Sequence, residues 1–381
     1  MKETELKYFF PYKIEKQFHF RDKLKNRDAF FDEMGGKNEY FYKDEANYGY
    51  RRNRDHLSLL ECSINDYITS DLFINWERWY KNGRNIFSFS KELLEMLENT
   101  DVDDVSYESF KLPFDYFYLS LRPLELKITK DSDKIIEGVY IEVDRMSMEK
   151  SVDNDGNVYW NDYAVGFHFV GDFEEFIVKY HDKVWNDSGS GGRSFWNFAF
   201  YFSKKENIIT VSDALKDWQS VEEYSLFPEN EDEITDEHLD ILNHYRELVK
   251  TTYKIVVNCM LYLSTNRNDK DIEANYTKDL PFNFNRKLQF AKTEKEKLKI
   301  EKKIAETGFS KINYIGNTYR KPANGNDNKT SNINVSPHWR RGHWRNQRYG
   351  KELIEKKLIW IKPVIVNRDI GTPQKGHVYE T

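Results

Sequence analysis

Between His338 and Tyr349, twelve consecutive residues carry two histidines, four arginines, two tryptophans, a tyrosine and two side-chain amides, the densest set of functional groups in the chain. A core has little use for four guanidiniums together, because each must be solvated or paired. The combination suits a polyanion. Arginine forks bind phosphate through two parallel hydrogen bonds, and indole or phenol rings stack on unpaired bases, so the segment matches single-stranded nucleic acid, RNA especially. On an extended strand Trp339, Arg341, His343, Arg345 and Gln347 point to one face, and His338, Arg340, Trp344 and Asn346 to the other. His343 then stands between two arginines. That arrangement would serve a metal-independent ribonuclease, where imidazole takes the 2′-hydroxyl proton or protonates the leaving oxygen while guanidiniums hold the phosphate. A bulge at Gly342 would bring His338 to the same face as a second acid–base group. The expected site is therefore His343 and His338 for chemistry, with Arg340, Arg341, Arg345, Trp339, Trp344, Gln347, Arg348 and Tyr349 for RNA. Binding without cleavage fits the same residues, as does a structural role in which Arg and Trp stack to lock a sheet. Two histidines five apart are not a standard metal spacing on a strand, and no metal or other cofactor is expected.

Other candidates are weaker. His238 and His244 lie six apart on a helix and do not face each other, so they read as surface residues. His168 lies inside an apolar strand, where a hydrogen-bonded core histidine is the better reading. Residues 188–193 are Gly-rich but lack the Lys-Ser/Thr ending of a phosphate-binding loop, and read as a turn. Glu142 and Asp144 share a strand face, which is compatible with a metal, whereas Glu137 and Asp162 read as solvent-facing alternation. Cys62 and Cys259 fall in amphipathic stretches and read as buried thiols, too few for a disulfide framework or a zinc site.

The elements that must hold these groups follow from periodicity. Four β-branched or aromatic runs, 114–121, 135–143, 163–170 and 195–202, are separated by turn residues and predict a sheet of at least four strands. Asp155-Gly156 just before Val158-Tyr159-Trp160 predicts a tight hairpin. Ser90 is a plausible N-cap for a helix through Leu97. After nine carboxylates between Glu222 and Asp240, a long helix runs from Thr235 to Leu263 with one apolar face. A second, charged helix spans Arg286 to Thr307 and stops at Gly308. Ile312–Thr318 reads as a strand and 322–337 as a loop. Leu358–Val366 reads as a β run that Pro363 confines to an edge or bulge, with 377–380 as a last short strand.

Composition bounds the rest. The chain has 381 residues, 16% of them aromatic and 32% charged, which excludes a disordered protein. No apolar run approaches the roughly 20 residues of a membrane span, and the charged N-terminus does not resemble a signal peptide, so a cytoplasmic protein is expected. The net charge of -6 hides a split: Leu280–Thr381 holds 22 Lys+Arg and 9 Asp+Glu, net +13, leaving -19 for residues 1–279. A basic end on an acidic body points to a nucleic-acid-binding unit beside a protein-binding one, although lysine-rich helices such as 292–303 also serve simply as solvated surface. The expected fold class is α+β, mixed helices and an antiparallel sheet with a small basic C-terminal β-rich unit. The expected regions are a mixed helical 1–110, an acidic partner-binding 111–279 with the sheet and long helix, and a basic RNA-interacting 280–381.

The run His338-Trp-Arg-Arg-Gly-His-Trp-Arg-Asn-Gln-Arg-Tyr-Gly350, followed by Ile359-Trp-Ile-Lys-Pro363, resembles the C-terminal signature of a phage- and bacterium-borne family named after a type V anti-CRISPR protein. Val257-Asn-Cys-Met-Leu-Tyr-Leu263, Leu112-Pro-Phe114 and Glu137-Gly138 add partial matches. The resemblance implies inhibition of a CRISPR nuclease by recognition of its nascent chain and loss of the encoding mRNA. The implied partners are RNA and a CRISPR effector polypeptide. The alternative is a non-enzymatic inhibitor that uses its basic patch only for docking.

Overall fold

The computed structural model describes residues 4–30, 41–44, 49–52, 64–128, 133–144, 150–152, 158–160, 163–172, 197–204, 207–226, 236–265, 272–317 and 338–366. In chain order the elements are α1 (Glu5–Tyr8), α2 (Phe10–Gln17), α3 (Phe20–Lys25), β1 (Phe41–Asp44), β2 (Gly49–Arg52), α4 (Ile64–Lys81), β3 (Ile86–Phe89), α5 (Lys91–Glu98), β4 (Thr100–Asp101), β5 (Tyr116–Ser120), β6 (Ile136–Asp144), β7 (Lys150–Val152), β8 (Val158–Trp160), β9 (Tyr163–Gly171) and β10 (Asn197–Phe202). There follow α6 (Val211–Leu226), α7 (Asp236–Thr265), β11 (Ile272–Asn275), α8 (Phe284–Phe290), α9 (Glu294–Glu306), β12 (Ile312–Ile315), β13 (His338–Arg340), β14 (Gly342–Tyr349), β15 (Glu355–Ile361) and β16 (Val364–Val366).

The fold is α+β. A seven-stranded sheet has the order β10-β9-β6-β5-β3-β12-β11. It is mixed rather than wholly antiparallel, since β3 runs parallel to both β5 and β12. All five residues of β5 are buried, because helices cover both faces of the sheet and leave no side for polar alternation. On one face Ile86, Tyr116, Tyr118 and Tyr140 pack with Phe10, Phe20, Phe73 and Trp76 from the N-terminal helices. On the other, Phe87, Phe117, Leu119 and Ile141 pack with α5, α6 and α7. The sheet draws strands from all three regions expected from the sequence: β3 precedes residue 110, β5, β6, β9, β10 and β11 lie between, and β12 follows residue 280.

Glu137 corrects an expectation. It is buried rather than solvent-facing, and its carboxylate pairs with Lys13 at 3.0 Å and Arg122 at 3.3 Å. Burying one carboxylate with two cations is how a charge survives in a core. Its neighbour Gly138 has no room for a side chain, because a Cβ there would stand 2.3 Å from the Tyr118 hydroxyl. Glu142 hydrogen-bonds His168 at 3.3 Å and Arg78 at 2.5 Å. Burial pushes its carboxyl up, but His168 and Arg78 outweigh that and hold it below the ordinary glutamate range. His168 is thus the hydrogen-bonded strand histidine its apolar setting implies. His244 also has a structural partner, the Ile128 carbonyl at 3.0 Å. Cys259 is a buried free thiol, pushed up by desolvation. Cys62, Thr235, the side chain of His238, Asp162, the Gly-rich 188–193 stretch, the 322–337 loop and the 377–380 strand lie outside the described residues.

Helix α7 holds the other functional elements in place. Its second half, from Ile255 to Leu263, is buried on every side, so it behaves as a core helix rather than a one-faced amphipathic one. Tyr253 packs closely on Phe200 of the large sheet, with centroids 4.0 Å apart and the rings tilted by 34°. Tyr262 meets Phe89 of that sheet and Trp360 of β15, each edge-on at 5.8 Å. The helix is therefore clasped between the seven-stranded sheet and a smaller one.

Candidate nucleic-acid interface

The smaller sheet has the order β15-β14-β4. Strands β14 and β15 pair antiparallel from His343↔Ile361 to Tyr349↔Glu355, and β4 joins β14 in parallel through Gly342↔Thr100 and His343↔Asp101. The expected single strand is broken at Arg341. Upstream of the break, β13 pairs with β16 instead, through His338↔Val366 to Arg340↔Val364. The β run expected over 358–366 divides likewise, with Pro363 between β15 and β16, since proline has no N–H to donate to a ladder.

Alternation sorts the side chains of β14. Gly342 and Trp344 are buried, while His343 and Arg345 between and beyond them are exposed. The inward face is anchored by a hydrogen-bond network. Trp344 stacks on Trp360, centroids 6.1 Å apart, and its indole N–H donates to Asn258 Oδ1 at 2.7 Å. Asn258, fully buried in α7, donates in turn to the carbonyls of Leu97 at 2.9 Å and Thr100 at 3.0 Å. The Trp360 indole donates to Thr100 Oγ1 at 3.1 Å, and that hydroxyl donates to the Met96 carbonyl at 2.9 Å. Every polar atom in this cluster has a partner, as a buried network requires. Trp344, expected among the base-stacking groups, is instead an anchor: at 8% exposure its ring has no face to offer.

Gly342 is required where the strand begins. A Cβ there would meet Pro363 Cδ at 2.7 Å, the Ile361 carbonyl at 2.8 Å and Thr100 Oγ1 at 2.8 Å. We expect Gly342→Ala to destabilise the protein by about 1–3 kcal/mol, the usual range for overpacking against backbone. Chemical denaturation of the full chain measures it, and an unchanged midpoint would show that the junction yields freely.

Arg340, Arg341, Arg345 and Arg348 are exposed, as are His343 and Tyr349, while Gln347 is half-buried. Strands β14 and β15, with Arg341 at their base, make a two-stranded arm whose far part, residues 348–357, is exposed throughout. Tyr349 closes its far end by a hydrogen bond to Glu355, which with the carboxylate charge raises the phenol above its ordinary range. Lys357 sits 5.3 Å over the Tyr349 ring. The backbones of His338 and Trp339 are placed by β13, while their side chains lie outside the described residues. Asp101 is the neighbour that the sequence reading missed. It stands beside His343 in the β4 register, yet its Oδ1 accepts the Asp103 N–H at 3.0 Å. Among the described residues, no group of three or more His, Cys, Asp or Glu is placed to hold a metal ion. No helix among them is long and apolar enough to cross a membrane.

The interval from residue 87 to residue 368 matches the AcrVA2-like family, the anti-CRISPR type V subtype A2 family. That interval covers well over half of the chain and runs from β3, the first strand of the large sheet in chain order, through the arm. The chain belongs to this family of anti-CRISPR proteins. A solved crystal structure of AcrVA2 aligns with 80% of this chain and 79% of its own at 16% identity, with a TM-score of 0.38. No curated protein matches the sequence.

Proposed function

We propose that this anti-CRISPR family member recognises the polypeptide of a type V CRISPR effector, and that its basic C-terminal region engages RNA so that the effector's mRNA is lost. The observation that carries the RNA half of this reading is the cluster of exposed arginines along 340–348, with Arg345 beside His343 on the outward face of β14 and a buried anchor behind that strand. Charge supports the division of labour: residues 280–381 are net basic and the rest net acidic. Binding suits this geometry better than cutting. His343 stands exposed on a strand face rather than in a walled site that excludes water, so arginine-mediated capture is the role assigned to the arm.

The test is co-expression of the full chain with a type V effector, reading effector transcript and protein together. Transcript should fall several-fold, and should still fall when the codons are replaced synonymously. A frameshift that preserves the transcript but abolishes the polypeptide should restore it. Inhibition of the effector at unchanged transcript level would instead make the protein a stoichiometric inhibitor that docks on the finished enzyme.

A further inference from the structure

The charged helix expected over Arg286–Thr307 folds instead as two, α8 and α9. Helix α8 ends at Phe290, and Thr293 caps α9 by accepting the Glu296 N–H at 3.2 Å while Glu296 accepts the Lys292 N–H at 2.7 Å. Gly308, at φ +90°, closes α9 with the Phe309 N–H reaching back to the Ile304 carbonyl at 3.2 Å. Phe284 and Ile304 are buried between the two helices. What they leave outside is unusual. Phe282 is 66% exposed, Phe290 67% and Leu298 63%. Phe282 and Asn283 both take left-handed backbone conformations, at φ 57° and 54°, costly for residues with a Cβ. Asn285 pins that turn through the carbonyls of Thr277 at 2.7 Å and Lys278 at 2.8 Å. Arg286, midway between the exposed phenylalanines, lies 5.8 Å over the Phe290 ring.

On α9 the helical repeat puts Lys295, Leu298, Lys299 and Lys302 on one face, opposite the buried Ile304. Among the described residues these three lysines form no ion pair, whereas Lys297 pairs with Glu294 and Lys311 with Glu301. Exposed phenylalanines and lysines without an ion pair among the described residues, carried by one helical hairpin, are the two kinds of group that bind a single strand: phosphates meet the ammonium groups and bases stack on the rings. A duplex would leave the rings unused. An acidic protein would satisfy the lysines but would bury phenylalanines in pockets rather than meet them as open faces. We propose that this helical hairpin is a second contact for single-stranded RNA, separate from the arm, with Phe282 and Phe290 as base platforms and Lys295, Lys299 and Lys302 as phosphate contacts. The choice of RNA rests on the functional reading above.

The test is fluorescence anisotropy of the full chain with a labelled oligo(U) over a salt series, because β11 and β12 on either side of the hairpin belong to the main sheet. Phe282→Ala with Phe290→Ala should weaken binding roughly tenfold or more at fixed salt and leave the salt slope unchanged. Lys295→Gln, Lys299→Gln and Lys302→Gln together should flatten the slope by about 2. Thermal unfolding checks each variant, and Phe290→Leu alone, which keeps bulk but loses the aromatic face, serves if the double alanine variant misfolds. Wild-type affinity in these variants, with loss in Arg341→Ala plus Arg345→Ala, would overturn the hairpin proposal and leave the arm reading intact. The reverse pattern would support the hairpin and remove the arm. No binding of oligo(U) by the unaltered chain at low salt would overturn both. Poly-glutamate bound as tightly as oligo(U), with no dependence on the phenylalanines, would make the surface a general polyanion patch and sink the RNA assignment.

Discussion

Replacing Asn258 by leucine is expected to destabilise the protein by about 3–5 kcal/mol, a large part of the roughly 5–15 kcal/mol that separates folded from unfolded domains. Asn258 makes three hydrogen bonds from a fully buried position: two donated to carbonyls at the end of α5 and the start of β4, and one accepted from Trp344. Leucine has a similar volume, so packing is nearly conserved and the loss is electrostatic. The Thr100 carbonyl and the Trp344 indole N–H would lose the partner that Asn258 gives them, at about 1–3 kcal/mol each, and the Leu97 carbonyl would keep only the Asn99 N–H. Trp344→Phe removes only one of the three bonds and part of a ring, and should cost about 1–2 kcal/mol. In a double-mutant cycle the pair should couple by about 1 kcal/mol or more, because the two groups share a bond. Chemical denaturation of the four proteins supplies the numbers. A leucine variant within about 1 kcal/mol of wild type would mean that aromatic stacking, and not this network, holds the small sheet to α7.

Much of the architecture was legible in the sequence, and what was not has a physical cause. The four central strands fall within two residues of their expected limits, since β-branched and aromatic runs between turn residues are a local signal. The Ser90 cap was legible for the same reason, and Ser90 Oγ accepts the Leu93 N–H at 3.3 Å. Pairing partners were not legible. Nothing in Ile86–Phe89 or Ile312–Ile315 reveals that the two run parallel side by side, because that depends on chain crossings far apart in sequence. The candidate site divides in the same way. Alternation along β14 sorts His343 and Arg345 from Trp344, but only the fold decides which face is covered. The clue to the anchor was Asn258, a lone amide inside the apolar run Ile255–Leu263. A polar side chain there needs a buried partner, and Trp344 supplies it. Glu137 was misread because an isolated carboxylate between apolar residues mimics alternation, while its cations, Lys13 and Arg122, come from elsewhere in the chain. The break between α8 and α9 was missed because Arg286, Lys287, Leu288 and Gln289 favour helix on one side of Thr293 and the lysines and glutamates after it on the other, and only the cap reveals the stop.

Arg341→Ala combined with Arg345→Ala is expected to lower affinity for single-stranded RNA roughly 10- to 100-fold at low salt. Both side chains are exposed, one in the break before β14 and one on its outward face, so their loss should leave the fold and its anchor untouched. Each guanidinium that contacts a phosphate releases bound counterion, and for single strands the logarithm of affinity falls with the logarithm of salt by about 0.7 per contact. Losing two contacts should therefore flatten the slope by about 1.4, a signature that mere destabilisation would not produce. Two controls separate contact from support. His343→Ala removes a hydrogen-bonding group without removing a permanent charge, and should keep the wild-type slope. Trp344→Phe alters the anchor behind the strand and, in protein that remains folded, should keep affinity within about twofold, since the buried ring offers no face for a base to stack on. Anisotropy against salt for the four proteins, with gel analysis of the RNA afterwards, decides the matter. An unchanged slope in the double arginine variant would remove the arm from the RNA interface. RNA cut by the wild type and left whole by His343→Ala would replace capture with catalysis, because acid–base work contributes about 10²–10⁴-fold to rate and little to binding.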